Sequence, residues 1–193
     1  DAVYMGFGDG FNARRSADNF TRESFAKAVR YCHIRGCKVY VTLNTLVGDR
    51  EMDAAAALAQ QASDAGADAI LVQDLGLARV LRAALPDIPL HASTQMSIHN
   101  LAGVEAAAEM GITRAVLARE LSLEQIRFIS QHASIETEVF VHGALCFCYS
   151  GQCYMSALIG RRSGNRGACA QPCRMQYSMG GRMDEYPLSL RDN

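Results

Sequence analysis

The strongest constraint on the fold of this chain is a repeated unit in which a helical stretch ends at a glycine and a short apolar run follows. Gly36 precedes KVYVTL, Gly66 precedes AILVQD and Gly111 precedes RAVLARE. A glycine directly after a helix adopts the left-handed capping conformation without the strain that a Cβ atom would cause. The apolar runs do not alternate cleanly with polar residues, which is typical of parallel strands buried on both faces.

The unit recurs along the chain, so that six strands can be placed with helices between them. The predicted strands span residues 2–7, 38–43, 69–73, 90–93, 114–119 and 136–141. The first helix carries Phe25, Val29 and Cys32 on one face, and the second is an alanine-rich stretch near 52–65. The last is marked by Ser122 and Gln125, whose spacing predicts a capping box.

Strands that alternate with helices form a parallel sheet, and the sequence lacks a dinucleotide-binding fingerprint. We therefore predict an α/β protein with a (β/α)8 TIM-type barrel that is incomplete in this chain, with about six βα units. A doubly wound open sheet is the alternative. We expect residues 1–141 to form the partial barrel and residues 142–193 to form a Cys-rich, Arg-rich segment packed on the barrel mouth.

Composition excludes several classes of protein. The 193 residues carry a formal net charge of −1, so overall electrostatics predict no nucleic-acid partner, although a local basic patch would still allow one. No apolar run reaches the roughly 20 residues that a membrane span needs, and the first residues do not resemble a signal peptide. We therefore expect a cytoplasmic protein without a membrane partner.

In a barrel of this type, chemistry takes place at the C-terminal ends of the strands. Exposed strand ends are often polar, which by itself accounts for any one polar residue there. Their convergence on one rim nevertheless predicts a polar pocket. Polar side chains follow every predicted strand: Asn12, Arg14, Asn44, Gln73, Asp74, Ser93, Thr94, Gln95, Arg119, Glu120 and His142.

Candidate roles on this rim follow from side-chain chemistry. Guanidinium groups pair with carboxylates and phosphates in a bidentate manner, so the rim would suit a small anionic substrate. The substrate-binding candidates are Arg14, Asn44, Gln95 and Arg119. Glu120 and His142 are the candidates for acid–base catalysis. His91 lies within a strand and is predicted to be a core or rim histidine, whereas three others are predicted to lie on the surface: His33, His99 and His132.

Five of the seven cysteines fall between positions 146 and 173: Cys146, Cys148, Cys153, Cys169 and Cys173. In an apparently cytosolic chain such a cluster indicates metal binding or catalysis rather than disulfides. Soft, anionic sulfur suits both iron–sulfur clusters and zinc. The spacing matches neither a zinc ribbon nor the common ferredoxin patterns, so an iron–sulfur cluster, zinc, and free or disulfide-bonded thiols all stay open.

The same segment is rich in arginine: Arg161, Arg162, Arg166 and Arg174. These residues form either a solvated loop or a surface that binds anions or the RNA backbone. A peptidase site is a further alternative, with Cys146 or Cys153 as the nucleophile and His142 as its base. No HExxH or GxSxG motif supports hydrolytic chemistry.

The segment EVFVHGALCFCYSGQCYMSALIGRRSGNRGACAQPCR resembles the signature of the collagenase-like peptidase family, peptidase U32. DAVYMGFGDGFNARRSADNF, VYVTLNTLV, HASTQMSIHN and LARELSLEQI resemble the successive barrel elements of that family. The resemblance implies that a βα unit precedes the chain and that more chain follows it. It also implies oxygen-independent hydroxylation of a tRNA uridine or a 23S rRNA cytidine, with a 4Fe–4S cluster and with prephenate as the source of the hydroxyl group.

Carried over by this resemblance, Cys146, Cys153 and Cys169 are cluster ligands. The fourth ligand is either Cys173 or a residue beyond Asn193, and Cys148 is expected to be a buried thiol. Prephenate carries two carboxylates, which agrees with the arginine-bearing rim. We therefore expect an RNA hydroxylase whose Arg-rich loop contacts RNA. The alternatives are a peptidase, and a non-catalytic iron–sulfur scaffold that works with a partner chain. Whether the protein has a protein partner or forms a homo-oligomer stays open.

Overall fold

The computed structural model describes residues 1–8, 10–13, 18–143 and 145–189. Six strands form one parallel sheet: β1 (Ala2–Met5), β2 (Lys38–Leu43), β3 (Ala69–Val72), β4 (Leu90–Ala92), β5 (Ile112–Val116) and β6 (Glu136–Glu138). Five helices connect them: α1 (Arg22–His33), α2 (Met52–Asp64), α3 (Leu75–Ala84), α4 (Leu101–Glu109) and α5 (Leu123–His132). Short 3₁₀ turns at Asp49–Glu51 and Thr94–Met96 follow β2 and β4.

The chain after β6 contains a short helix and a small hairpin. The helix is α6 (Met155–Gly160), and two 3₁₀ turns, Gly164–Arg166 and Pro172–Arg174, follow it. Strands β7 (Tyr177–Met179) and β8 (Arg182–Glu185) pair in antiparallel orientation. The division of the chain into segments 1–141 and 142–193 stays a prediction.

The order of the strands settles the fold class. Each strand of the large sheet pairs in parallel with the next one along the chain, in the order β1-β2-β3-β4-β5-β6. A doubly wound sheet would reverse this order at a switch point, whereas a barrel keeps it sequential. The predicted incomplete TIM-type barrel is therefore confirmed, and the doubly wound alternative is wrong.

The strand boundaries differ from the prediction mainly at the carboxyl ends. Strand β3 ends at Val72, and Asp74 begins α3 by accepting a hydrogen bond from the backbone N–H of Leu77 at 2.9 Å. Strand β4 ends at Ala92, since Ser93 caps the following 3₁₀ turn. The predicted strands were too long here because polar side chains that follow a strand can cap the next element.

The helices pack on the outer, convex face of the sheet and form the main core with it. Phe25 and Val29 of α1 are buried in this core, and Cys32 packs against it, as predicted. The predicted capping box is also confirmed, because the backbone N–H of Gln125 donates to Ser122 Oγ at 3.2 Å and the reverse bond to Gln125 Oε1 is 2.8 Å.

The inner face of the sheet carries polar and aromatic side chains that meet across the curled sheet. The Arg114 guanidinium lies 2.6 Å from Glu136 and 3.2 Å from Glu138, and the Tyr4 hydroxyl donates to Glu138 across the concave face. The ring of Tyr40 contacts His91 edge-on, with centroids 4.8 Å apart. Because β1 and β6 are the two edges of the sheet, the Tyr4 contact shows how strongly the sheet curls.

His91 is predicted to make the fold sensitive to acid. It is only 4 % exposed, and burial, helped by the charge of Arg114, lowers its pKa to about 4. An unfolded histidine titrates near 6.5, so as the pH falls from 6.5 to 4 the unfolded chain binds a proton that the folded chain excludes. We expect the free energy of unfolding to fall by roughly 2–3 kcal/mol over this window, and to be independent of this group above it.

Urea unfolding between pH 7 and 4.5 measures this effect. His91→Leu should flatten the pH dependence, whereas His132→Gln, at an exposed helix end, should leave it unchanged. Hydrogen bonds lower the pKa values of Glu105 and Glu136, so these carboxylates affect the free energy of unfolding at lower pH than His91 does. Equal slopes for the wild-type protein and His91→Leu would contradict the assignment.

None of the helices in the described ranges is long and apolar enough to cross a membrane.

Candidate functional site

Residues 145–175, called here the cysteine loop, lie over the carboxyl ends of the central strands. On one side, the backbone N–H of Leu46, after β2, donates to the carbonyl oxygen of Asn165 at 3.2 Å. On the other side, Gln152 and Ser150 contact Ser97, which follows β4. The loop therefore bridges the rim at which the sequence predicted a site.

Glu120 fastens the loop to the end of β5. Its Oε1 accepts hydrogen bonds from the Ser150 backbone N–H at 2.6 Å and from Ser150 Oγ at 3.0 Å. Burial by itself would raise the pKa of Glu120, but the hydrogen bonds and the charge of Arg119 outweigh it and hold the pKa below its ordinary value. Glu120 is thus an ionised acceptor already engaged by the loop, and its acid–base role stays a prediction.

Gly151 allows the loop to approach the rim closely. Its φ is +71°, and a Cβ atom built there would lie 2.0 Å from the carbonyl oxygen of Gln95. Ser150 beside it is buried, and Ser97 Oγ donates to the Ser150 carbonyl oxygen. The Ser150–Gly151 pair is therefore a point of close approach between the loop backbone and the barrel backbone.

Arg119 points toward the backbone of the loop. Its Nη1 donates to the carbonyl oxygen of Cys146 at 3.4 Å and its Nη2 to that of Cys148 at 3.1 Å. Two of the five N–H groups of the guanidinium are thus used to orient the cysteine-bearing backbone. The predicted anion-binding residue is also an anchor of the loop, which the sequence did not indicate.

The other predicted rim residues have different surroundings. Asn44 accepts from the Ala13 backbone N–H at 2.9 Å and donates to Ser93 Oγ at 3.2 Å, so its amide holds neighbouring loops together. Gln95 lines a cleft described below. His142 is exposed. Arg14 lies outside the described residues.

His99 was predicted to be a surface residue without a partner, but its side chain is only partly exposed and is engaged. Its Nε2 lies 3.2 Å from Glu120 Oε2, and its Nδ1 is 2.6 Å from the carbonyl oxygen of Ser97. His33, also predicted as a surface residue, is partly exposed but pairs with Asp68 at 2.8 Å. The carboxylate partners of both histidines, Glu120 and Asp68, come from other βα units, so no local sequence signal could have found them.

The thiols of the cysteine loop are close enough for their charges to interact. Burial raises the pKa of Cys173, and the neighbouring Cys146, Cys169 and Cys153 raise it further. Cys148 is partly buried rather than fully buried as expected, and its pKa is raised by burial and by a hydrogen bond and charge interaction with Cys153. Among the described residues, no three His, Cys, Asp or Glu side chains are arranged to share one metal ion.

Most of the predicted RNA-binding arginines also hold the loop together. Arg166 forms a bidentate pair with Glu51 at 2.5 and 2.8 Å. Arg162 donates from Nε to the Ala168 carbonyl oxygen at 3.0 Å, and Arg174 donates to that of Leu145 at 3.0 Å. Arg161 is exposed and ends α6 in a left-handed conformation, with φ of 54°. Arg161 and Arg162 are the exposed members of this set, whereas Arg166 and Arg174 are partly buried.

A cleft of about 380 Å³ opens between the cysteine loop and the ends of β2, β3 and β4. Gln73, Gln95, Gln152 and Asn165 supply amide groups to its wall, and Tyr154 supplies an aromatic ring. In the described part of the chain no hydrogen bond joins His142 to either cysteine of the peptidase alternative. The cleft lies on the same rim as the cysteine loop, and Gly151, Gln152 and Tyr154 of the loop line it.

Known proteins with similar sequences show which family this chain resembles. The chain is 44 % identical over its whole length to 23S rRNA 5-hydroxycytidine C2501 synthase of Escherichia coli, and spans 30 % of that protein. It is 38 % identical over 93 % of its length to tRNA hydroxylation protein P1 of Bacillus subtilis, spanning 42 % of it. A collagenase of Porphyromonas gingivalis is 36 % identical over 93 % of the chain, which spans 45 % of that protein.

Solved structures agree on the fold. A U32 peptidase of known structure superposes with a TM-score of 0.59 at 17 % identity, over 72 % of this chain and 60 % of that one. The sequence model of peptidase family U32 matches residues 1–193. The resemblance carried by the cysteine segment and the barrel elements is thereby confirmed: the chain belongs to peptidase family U32.

Proposed function

We propose that this chain is the cluster-bearing barrel segment of an enzyme that hydroxylates a pyrimidine base in RNA without molecular oxygen. The observation that carries the proposal is the thiol group around Cys173, held in a loop that is anchored across the carboxyl ends of the strands. RNA as the substrate is supported by relatives named for rRNA and tRNA hydroxylation, which match 93–100 % of the chain.

The donor set fits a 4Fe–4S cluster held by Cys146, Cys153, Cys169 and Cys173. Clusters of this type are bound by four cysteine thiolates. Burial raises the pKa of Cys173, and the neighbouring thiols raise it further although the charge of Arg174 lowers it, which is the expected result when several potential anions crowd together. When bound, such a cluster supplies one-electron redox chemistry.

The remaining roles follow from the contacts of the rim. Arg119 orients the backbone of Cys146 and Cys148, and its other N–H groups suit a carboxylate of a small dicarboxylic co-substrate such as prephenate. Exposed His142 is the candidate for proton transfer, and Glu120 positions the loop through Ser150. Exposed Arg161 and Arg162 would contact RNA phosphates, whereas Arg166 is engaged by Glu51.

Anaerobic purification of the intact protein tests this proposal. We expect about four iron and four sulfide per chain. RNA from a strain that lacks the protein should also lose one hydroxylated pyrimidine nucleoside by mass spectrometry, and should regain it on complementation. Stoichiometric zinc without iron, or an unchanged nucleoside profile, would count against the proposal.

A peptidase is the second candidate, because the collagenase relative is 36 % identical to the chain. Its nucleophile would be Cys146 or Cys153, with His142 as the base. Protein cleavage that is lost in Cys146→Ala but insensitive to iron removal would favour this candidate over RNA hydroxylation.

A further inference from the structure

The cleft between the cysteine loop and the ends of β2, β3 and β4 has the size of a small-molecule site. Its volume is about 380 Å³, within the range usual for ligand pockets. Gly151, Gln152 and Tyr154 form one wall, so this wall includes the residues on both sides of Cys153. A ligand in the cleft would therefore lie next to a proposed cluster ligand.

The polar lining of the cleft consists of amides and one carboxylate, without a cationic side chain among the described residues. Four side-chain amides contribute to it: Gln73, Gln95, Gln152 and Asn165. Asp74 also lines it, but its carboxylate already accepts hydrogen bonds from the backbone N–H groups of Leu77 at 2.9 Å and Val47 at 3.2 Å. None of the described residues that line the cleft is Lys, Arg or His. This chemistry does not favour an anion, and it suits a neutral ligand that both donates and accepts hydrogen bonds.

Gln73 is a buried polar side chain of the cleft. It is 6 % exposed, and its Nε2 donates to the carbonyl oxygen of Gln95 at 3.3 Å. Because that carbonyl can only accept, the amide nitrogen must face it. Gln73 Oε1 is then left, within the described residues, as a buried acceptor without a donor. Such an atom is costly unless a ligand donates to it.

The cleft also offers surfaces for a flat ring. Tyr154 is 63 % exposed although it lines the cleft, and Leu46 and Leu75 on the barrel side are 43 % and 60 % exposed. Met96 adds a polarisable thioether to the same lining. Exposed aromatic rings beside amide groups are how proteins bind unstacked bases, by stacking on the face and hydrogen bonding to the edge.

We propose that this cleft is the base pocket, in which a flipped pyrimidine of the RNA stacks on Tyr154 and donates an N–H hydrogen bond to Gln73 Oε1. The inference rests on the proposed function, since it names where the substrate base would bind. It also separates the two small ligands of that reaction, because the cleft takes the neutral base and leaves the dicarboxylate to the arginine-bearing part of the rim.

Saturation-transfer NMR of the intact protein with cytidine and uridine tests the pocket without requiring turnover. We expect Gln73→Leu and Tyr154→Leu each to weaken nucleoside binding about ten-fold. Tyr149→Leu is the matched control, because Tyr149 is 65 % exposed on the same loop but does not line the cleft. Tyr154→Phe should bind like the wild type, because the ring and not the hydroxyl is needed. Gln73→Met also lacks the acceptor oxygen and is closer to glutamine in shape, so it repeats the test with the same expected weakening if Gln73→Leu fails to fold.

The outcomes distinguish the pocket from the reaction. RNA hydroxylation together with unchanged nucleoside binding in the Gln73 and Tyr154 variants would overturn the pocket and leave the proposed function standing. Cleft-dependent binding without any hydroxylation would support the pocket and count against the reaction. Displacement of the nucleoside by prephenate, with the same dependence on Gln73, would overturn the assignment of the cleft to a base.

Discussion

Replacing Cys153 by serine is expected to remove the bound iron and sulfide and to lower RNA hydroxylation more than about 100-fold, beyond the loss typical of outer-shell changes. Serine is nearly the same size, but its hard oxygen is a poor ligand for iron and does not ionise near neutral pH. Cys153 lies beside Cys148, and its charge raises the pKa of Cys173, so its sulfur belongs to the part of the loop where the thiols are crowded.

Iron and sulfide analysis of anaerobically purified variants measures the effect. Cys37→Ser is the matched control, because Cys37 precedes β2 at the opposite end of the strands and should retain full cluster content. Cys148→Ser should also retain it, whereas Cys173→Ser decides the fourth ligand. Full iron content in Cys173→Ser would show that the fourth ligand is another residue. Full iron content in Cys153→Ser would remove the basis of the cluster proposal.

Replacing Gly151 by alanine is expected to release the cysteine loop from the barrel. The new Cβ would lie 2.0 Å from the Gln95 carbonyl oxygen, so the two backbones must separate. The left-handed backbone at φ +71° adds a penalty of about 1–2 kcal/mol for any residue with a Cβ atom. Together with the cost of overpacking, this penalty should destabilise the docked state of the loop by roughly 2–5 kcal/mol.

Hydrogen exchange reports this change directly, because the Ser150 backbone N–H donates to Glu120 only when the loop is docked. We expect its exchange to accelerate at least about 25-fold, the equivalent of 2 kcal/mol, while amides of the central strands keep their protection. Gly160→Ala is the control, since space around Gly160 is open and it lies in α6, where alanine should be neutral or slightly stabilising. Unchanged exchange at Ser150 in Gly151→Ala would show that the close approach does not hold the loop.

The features that the sequence predicted correctly are those encoded within one element or between adjacent elements. The glycines at 36, 66 and 111 end helices with positive φ, as the repeat indicated. The Ser122–Gln125 capping box needs only residues three positions apart, and the buried face of α1 needs only helical periodicity. Strand ends were overestimated because hydropathy does not show where a side chain turns to cap the next helix.

By itself, then, the sequence determined the βα alternation, the order of the barrel elements, and which residue types reach the rim. Only the tertiary structure decided which of them meet. Glu120 holds Ser150 across 30 positions, and Arg166 holds Glu51 across 115. The reason is physical: periodicity reports the face of an element, whereas a contact between loops depends on how the sheet curls and brings distant strand ends together.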